Sequence, residues 1–361
     1  MMSNRSRGLL AFALLTGTLT ACSDTMGPDR NPAFDADAML ADYQAVDAVL
    51  ASDGWKGFLA MGSAVSNGTF GAGIEATLSS VAALRSVRGT ADARALALQL
   101  TGTPGAPLHA ASAPVISPLH RGKTFVYDGE LGRYVVDPDR TGAPGNGVRF
   151  IVYRDVGGRP DPAQETGYAD LIDEGDGSVQ DIALRLAVVQ DGATILDYAT
   201  TLDETDGTGT VTVDGFLRNG SDRLDFDVDV QGTGSGAVDI AFRMAVEERA
   251  FEILGTVAGA AQGGGSGDVD VTVRHGDASL RMDASATASS ITGAAYVNGD
   301  PFVEISGDPD SPTFTRPGGG TLSRAEALLL YRVVDVVEDV FDLFEDLLDP
   351  IDELVILAVI L

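Results

Sequence analysis

The chain has 361 residues, 44% of them hydrophobic, which supplies a sizeable core and excludes wholesale disorder. Its 53 Asp and Glu outnumber 24 Lys and Arg, a formal charge of −29. That balance excludes a broad surface for nucleic acid or anionic lipid, because both need clustered positive charge. The single Cys excludes an intrachain disulfide.

At the N-terminus Arg5 and Arg7 precede an apolar run from Leu9 to Leu19. That run is shorter than the ~20 residues that span a bilayer. It ends in Leu19-Thr20-Ala21-Cys22. Residues 1–24 resemble the signal segment of bacterial lipoproteins, in which the lipobox ends in an obligatory Cys. The resemblance implies diacylglycerol on the Cys22 thiol and cleavage between Ala21 and Cys22. It also implies a membrane-anchored protein of the cell envelope. Ser23, not Asp, follows the Cys, so the implied destination is the outer membrane of a Gram-negative-type bacterium, with the periplasmic or the surface face left open. Loss of residues 1–21 removes two Arg and no acid, which makes the mature chain more acidic still. Residues 22–34 contain Gly27, Pro28 and Pro32 and read as a lipidated tether.

Residues 35–361 read as a single α+β domain. Met39, Leu40, Tyr43, Val46, Val49 and Leu50 recur at helical steps, with Asp35 or Asp37 as cap and Asp53-Gly54 as the expected stop. Weaker helical patterns follow, so 35–100 is expected to be helical. Residues 101–122, with Pro104, Pro107, Pro114 and Pro118, read as a crossing loop.

From Lys123 the period changes to two. Leu224, Phe226, Val228 and Val230 alternate with Asp225, Asp227 and Asp229, and Val269, Val271 and Val273 with Asp268, Asp270 and Thr272. Asp128-Gly129, Asp191-Gly192, Asn219-Gly220 and Asn298-Gly299 read as hairpin turns. The expectation for 123–306 is an antiparallel meander of about 12–14 strands, too long to stay flat. It should form a half-barrel or barrel-like wall. A transmembrane barrel is the rival architecture, disfavoured by few aromatics and by an apolar terminal helix.

That helix is expected over 321–349, with Ser323 and Glu326 as a capping box. Leu330, Val333, Val336, Val340, Leu343 and Leu347 lie on its wide apolar face, which should pack on the apolar side of the sheet. Pro350 is expected to end it, leaving Leu354 to Leu361 as a separate apolar terminus of unassigned role.

No spacing points to catalysis, a cofactor or a metal. His109, His120 and His275 are scattered. Gly232 to Ala237 lies between alternating strands and reads as a turn, as does Gly263 to Gly267. The Asp225, Asp227 and Asp229 row departs from the EF-hand at its Gly and Glu positions, so it reads as a solvated acidic face. Three functions remain: a non-enzymatic structural or interaction lipoprotein, a half-barrel carrier of a lipid or other apolar ligand, and a hydrolase with carboxylates assembled across strands. The first is favoured. The partners so implied are the membrane through Cys22 and an envelope protein or apolar ligand.

Overall fold

The computed structural model describes residues 34–66, 116, 118–157, 159–175, 181–205, 208–233, 237–260, 267–287, 289–309 and 311–360. Ala21, Cys22, the tether up to residue 33, His109 and most of the Pro-rich stretch lie outside these residues.

Two helices come first, α1 (Ala36–Leu50) and α2 (Asp53–Ser66). Asp35 caps α1 by accepting from the amides of Asp37 and Ala38, each at 3.0 Å. Met39, Tyr43, Val46 and Val49 are buried, on the face expected from their spacing. Asp53-Gly54 does not stop a helix; it opens the next one. Ser52 accepts from the Trp55 amide at 3.2 Å, so the chain bends for two residues and resumes.

The sheet begins with β1 (Thr124–Asp128), β2 (Arg133–Asp137), β3 (Gly147–Asp155), β4 (Pro160–Asp173) and β5 (Asp181–Gln190). It continues through β6 (Ala193–Thr205), β7 (Thr208–Asn219), β8 (Asp222–Thr233), β9 (Ala237–Val246) and β10 (Phe251–Ala260). It ends with β11 (Gly267–His275), β12 (Ala278–Thr287), β13 (Ser290–Val297), β14 (Asp300–Asp308) and β15 (Ser311–Thr315). All fifteen strands join one open sheet, ordered from β15 down to β3 and then β1 and β2. The hairpins are sequential as expected, and Asp191-Gly192 and Asn298-Gly299 take the positive φ that tight turns demand. The expectation of a purely antiparallel sheet needs one correction. Strand β1 pairs parallel with β3 through Thr124↔Arg149 and Phe125↔Phe150, because the chain returns past the β1–β2 hairpin before re-entering the sheet. The sheet is therefore mixed.

Helix α3 (Arg324–Ile360) packs on the apolar side. Its capping box forms as expected: the Ser323 amide donates to Glu326 at 2.7 Å and the Glu326 amide to the Ser323 hydroxyl at 3.2 Å. Leu330, Val333, Val336, Val340, Leu343 and Leu347 are all buried. The expected end at Asp349 is corrected, since the helix passes through Pro350. Proline removes one ladder bond and crowds the preceding carbonyls. One turn earlier the Tyr198 hydroxyl of β6 donates to the Leu347 carbonyl at 2.5 Å, which ties this part of the helix to mid-sheet.

Contacts made by the helices require the sheet to curl. Tyr331 packs edge-on against Phe314 of β15, with ring centroids 5.0 Å apart, while Leu347 meets Tyr198 of β6. Those strands are nine steps apart, about 43 Å across a flat sheet, whereas the helical rise from Tyr331 to Leu347 is about 24 Å. Helix α1 gives the same result. Phe34, just ahead of it, packs on Phe302 of β14, and Asn219 at the end of β7 donates to the Ala48 carbonyl. The strands form a curved wall with the helices against its inner side.

Candidate functional site

Where α1, α2 and α3 meet over the sheet they leave a cleft of ≈ 300 Å³. Its floor is Met244 of β9 and Ile253 of β10, both buried. The Ser52 bend turns Trp55, the chain's one tryptophan, inward to form part of the wall. Tyr43 and Val336 face it from α1 and α3.

At the mouth the Arg332 guanidinium donates to Asp47 at 2.6 Å, lies 3.7 Å from Asp339, and sits 5.4 Å from the Tyr43 ring centre. Burial alone would lower the Arg332 pKa, but Asp47 and Asp339 hold it above its ordinary value. Burial pushes the Tyr43 phenol far above the usual range, opposed by Arg332. Its hydroxyl is buried and has no hydrogen-bond partner among the described residues. A buried donor left unpaired is costly. The cleft is also lined by Asp47, Lys56, Arg332, Asp339 and Asp346, so its wall is apolar only in part.

A second polar cluster ties α1 to one end of the sheet. Asp42, 4% exposed, lies 2.5 Å from His275 Nδ1 and 3.6 Å from Arg249, which also reaches Asp222. The third cluster, at the other end of the wall, centres on buried Asp173, which accepts from Arg121 at 2.8 Å and from the Ile116 amide at 3.4 Å. His120 nearby is buried, and burial, helped by Lys123, holds its pKa below the ordinary imidazole value.

The outer side of the wall carries cross-strand ion pairs. Arg149 grips Asp170 at 2.7 and 2.8 Å and covers the Tyr168 ring. Arg185 grips Asp197 at 2.7 and 2.6 Å. Glu252 accepts from Arg243 at 2.7 Å and Arg274 at 2.9 Å; burial would raise its pKa, and the two guanidiniums bring it below the usual value.

The residues singled out in the sequence do not converge. His120 stands before β1 and His275 ends β11. Asp225 pairs with Arg223 at 2.6 Å, whereas Asp227 stands opposite Asp214 on one side and Arg243 on the other. Burial, then Asp214 and Asp229, raises the Asp227 pKa. The row is thus partly paired, not a freely solvated acidic face. Among the described residues no group of three or more His, Cys, Asp or Glu is placed to hold a metal ion. Gly232 and Ala237 lie on the paired strands β8 and β9, in the hairpin context expected. The cleft was not foreseen, and Tyr43, Val336 and Met244 each read as ordinary core. Among the described residues no helix is long and apolar enough to cross a membrane.

Comparison with known proteins finds no family model, no curated relative and no solved structure that matches the chain.

Proposed function

We propose that this chain is a lipid-anchored protein of the bacterial envelope, held through Cys22, whose domain acts as a non-enzymatic structural or interaction module. One observation supports this reading over the half-barrel carrier. The apolar side of the wall is occupied by the chain's own helix, with Leu329, Val333, Val336, Val340 and Leu347 no more than 2% exposed. A carrier of a two-chain lipid needs that space for its cargo. The outer face, with its Arg and acid pairs, is the surface offered to an envelope partner.

Two measurements test the two halves of the proposal. Cys22→Ala in the full chain is expected to move the protein from the membrane fraction to the soluble one. Retention after a high-salt wash would replace the anchor with a membrane-embedded reading. Native mass spectrometry on the soluble variant is expected to give a mass without phospholipid. A stoichiometric phospholipid that solvent extraction removes would establish the carrier instead.

A further inference from the structure

We propose that the outer edge of β2 is an association surface for a second copy of this chain, the two β2 strands pairing antiparallel about a two-fold axis at Val135. The open sheet ends in two edges, β15 and β2, and they differ. The β15 edge is blunted. Pro312 has no amide hydrogen to offer, the Tyr331 hydroxyl of α3 donates to its carbonyl at 3.4 Å, and the Tyr331 ring closes on Phe314. The β2 edge has no such protection among the described residues. Arg133–Asp137 carries no proline and no lysine, and its ladder to β1 runs through all five residues without a bulge. On its other side it pairs with no strand among the described residues. The space there is open: a Cβ built on Gly132 meets nothing within 4 Å, and Leu131 beside it is 58% exposed. A row of unpaired amides and carbonyls is a template for another strand.

The residues of β2 name the occupant. Paired antiparallel with itself about Val135, the strand sets Arg133 opposite Asp137 of the second copy, and Asp137 opposite its Arg133. The same register sets Tyr134 against Val136 and Val135 against itself. Opposite charges directly across an antiparallel pair attract, and aromatic and β-branched residues suit such a ladder. A slip of two residues either way puts Val135 opposite a charged residue and loses the match. Asp137 has capacity for a second cation: Arg140 lies 3.4 Å from it, but both guanidinium hydrogen bonds of Arg140 go to Glu165. Val135 and Val136 are only half-buried, so pairing also removes apolar surface from water. The pairing uses the strand edge and not the ion-paired outer face, so it stands whether or not that face has an envelope partner.

Sedimentation of the full-length Cys22→Ala protein tests this, since that variant can form no intermolecular disulfide. Salt at about 0.15 M shortens the Debye length to about 8 Å and screens the repulsion between two chains of formal charge −29. Loading concentrations from about 5 to 500 μM bracket the affinity that a short interface gives. The parent is expected to show a reversible monomer–dimer equilibrium. Arg133→Asp sets carboxylates opposite each other at two places and should weaken the dimer at least about tenfold; Asp137→Arg should do the same with guanidiniums. An equimolar mixture of the two variants should restore the dimer, because each then offers the other opposite charges. Both variants should melt close to the parent, and recovery on mixing is a result that a folding defect does not give. A parent that stays monomeric throughout, a dimer that Arg133→Asp leaves unchanged, or a mixture that associates no better than either variant alone would overturn the proposal.

Discussion

Asp42 on α1 and His275 at the end of β11 meet at 2.5 Å across 233 residues of chain. The acid is buried while the His275 side chain is 37% exposed, so the pair marks where the first helix docks on the rim of the wall. Asp42→Ala is expected to cost about 1–3 kcal/mol, since His275 loses its partner and Arg249 keeps only Asp222. His275→Ala should cost less because Arg249 still serves Asp42. Urea midpoints compare the two, and equal midpoints for Asp42→Ala and the parent would refute the clamp.

Glu326 links the cap of α3 to Arg316, which lies 2.8 Å away. Burial alone would raise its pKa, but the Ser323 amide and Arg316 bring it below the ordinary value. A depressed folded pKa means the stabilisation is complete above the unfolded value of about 4.3 and disappears as pH falls through the folded one. Glu326→Gln should therefore melt below the parent at neutral pH, by about 1 kcal/mol, and the gap should close in acid. A gap independent of pH would show that the charge plays no part.

Gly255 on β10 lies beneath the Phe242 ring of β9, and a Cβ built there would sit 2.1 Å from the ring. Gly255→Ala is expected to destabilise by about 1–3 kcal/mol through overpacking. With Phe242→Leu in the same chain the two effects should be less than additive. Simple additivity in denaturant titrations would mean that the ring is not what the new methyl meets.

The Tyr198 hydroxyl on the Leu347 carbonyl is the link between mid-sheet and the proline-bearing part of α3. Tyr198→Phe should lose about 1 kcal/mol. Hydrogen exchange should show α3 amides near Leu347 opening faster relative to those near Leu330. Uniform acceleration along the helix would argue against a local tie.

Much of this architecture is visible in the residues themselves. Alternation in β8, β9 and β11 places Phe226, Phe242 and Val271 inward without reference to any neighbour, and Ser323 with Glu326 announces a helix start locally. The parallel β1–β3 pair is not visible, because it depends on how the chain returns after β2 and leaves no periodic trace. Pro350 misleads for a related reason: its local penalty is outweighed by burial of Leu329, Val333, Val336, Val340 and Leu347 in the same helix. The ion pairs of the outer face had a usable signal, since Arg185 and Asp197 flank the Asp191-Gly192 turn nearly symmetrically. The cleft had none. It needs Tyr43, Trp55, Met244 and Arg332 from four distant segments, and no single one departs from the pattern of a core or surface residue.

The hairpin order has a consequence for how the molecule is assembled. Every ladder except β1–β3 joins strands that are neighbours along the chain, so contact order within the sheet is low and pairing can follow synthesis. The element that covers the inner side comes last, at Arg324–Ile360. A nascent chain thus completes its wall while valines and leucines of the inner side are still wet. The interval before α3 arrives is the period of greatest aggregation hazard, and a chain cut before Arg324 would remain in it permanently.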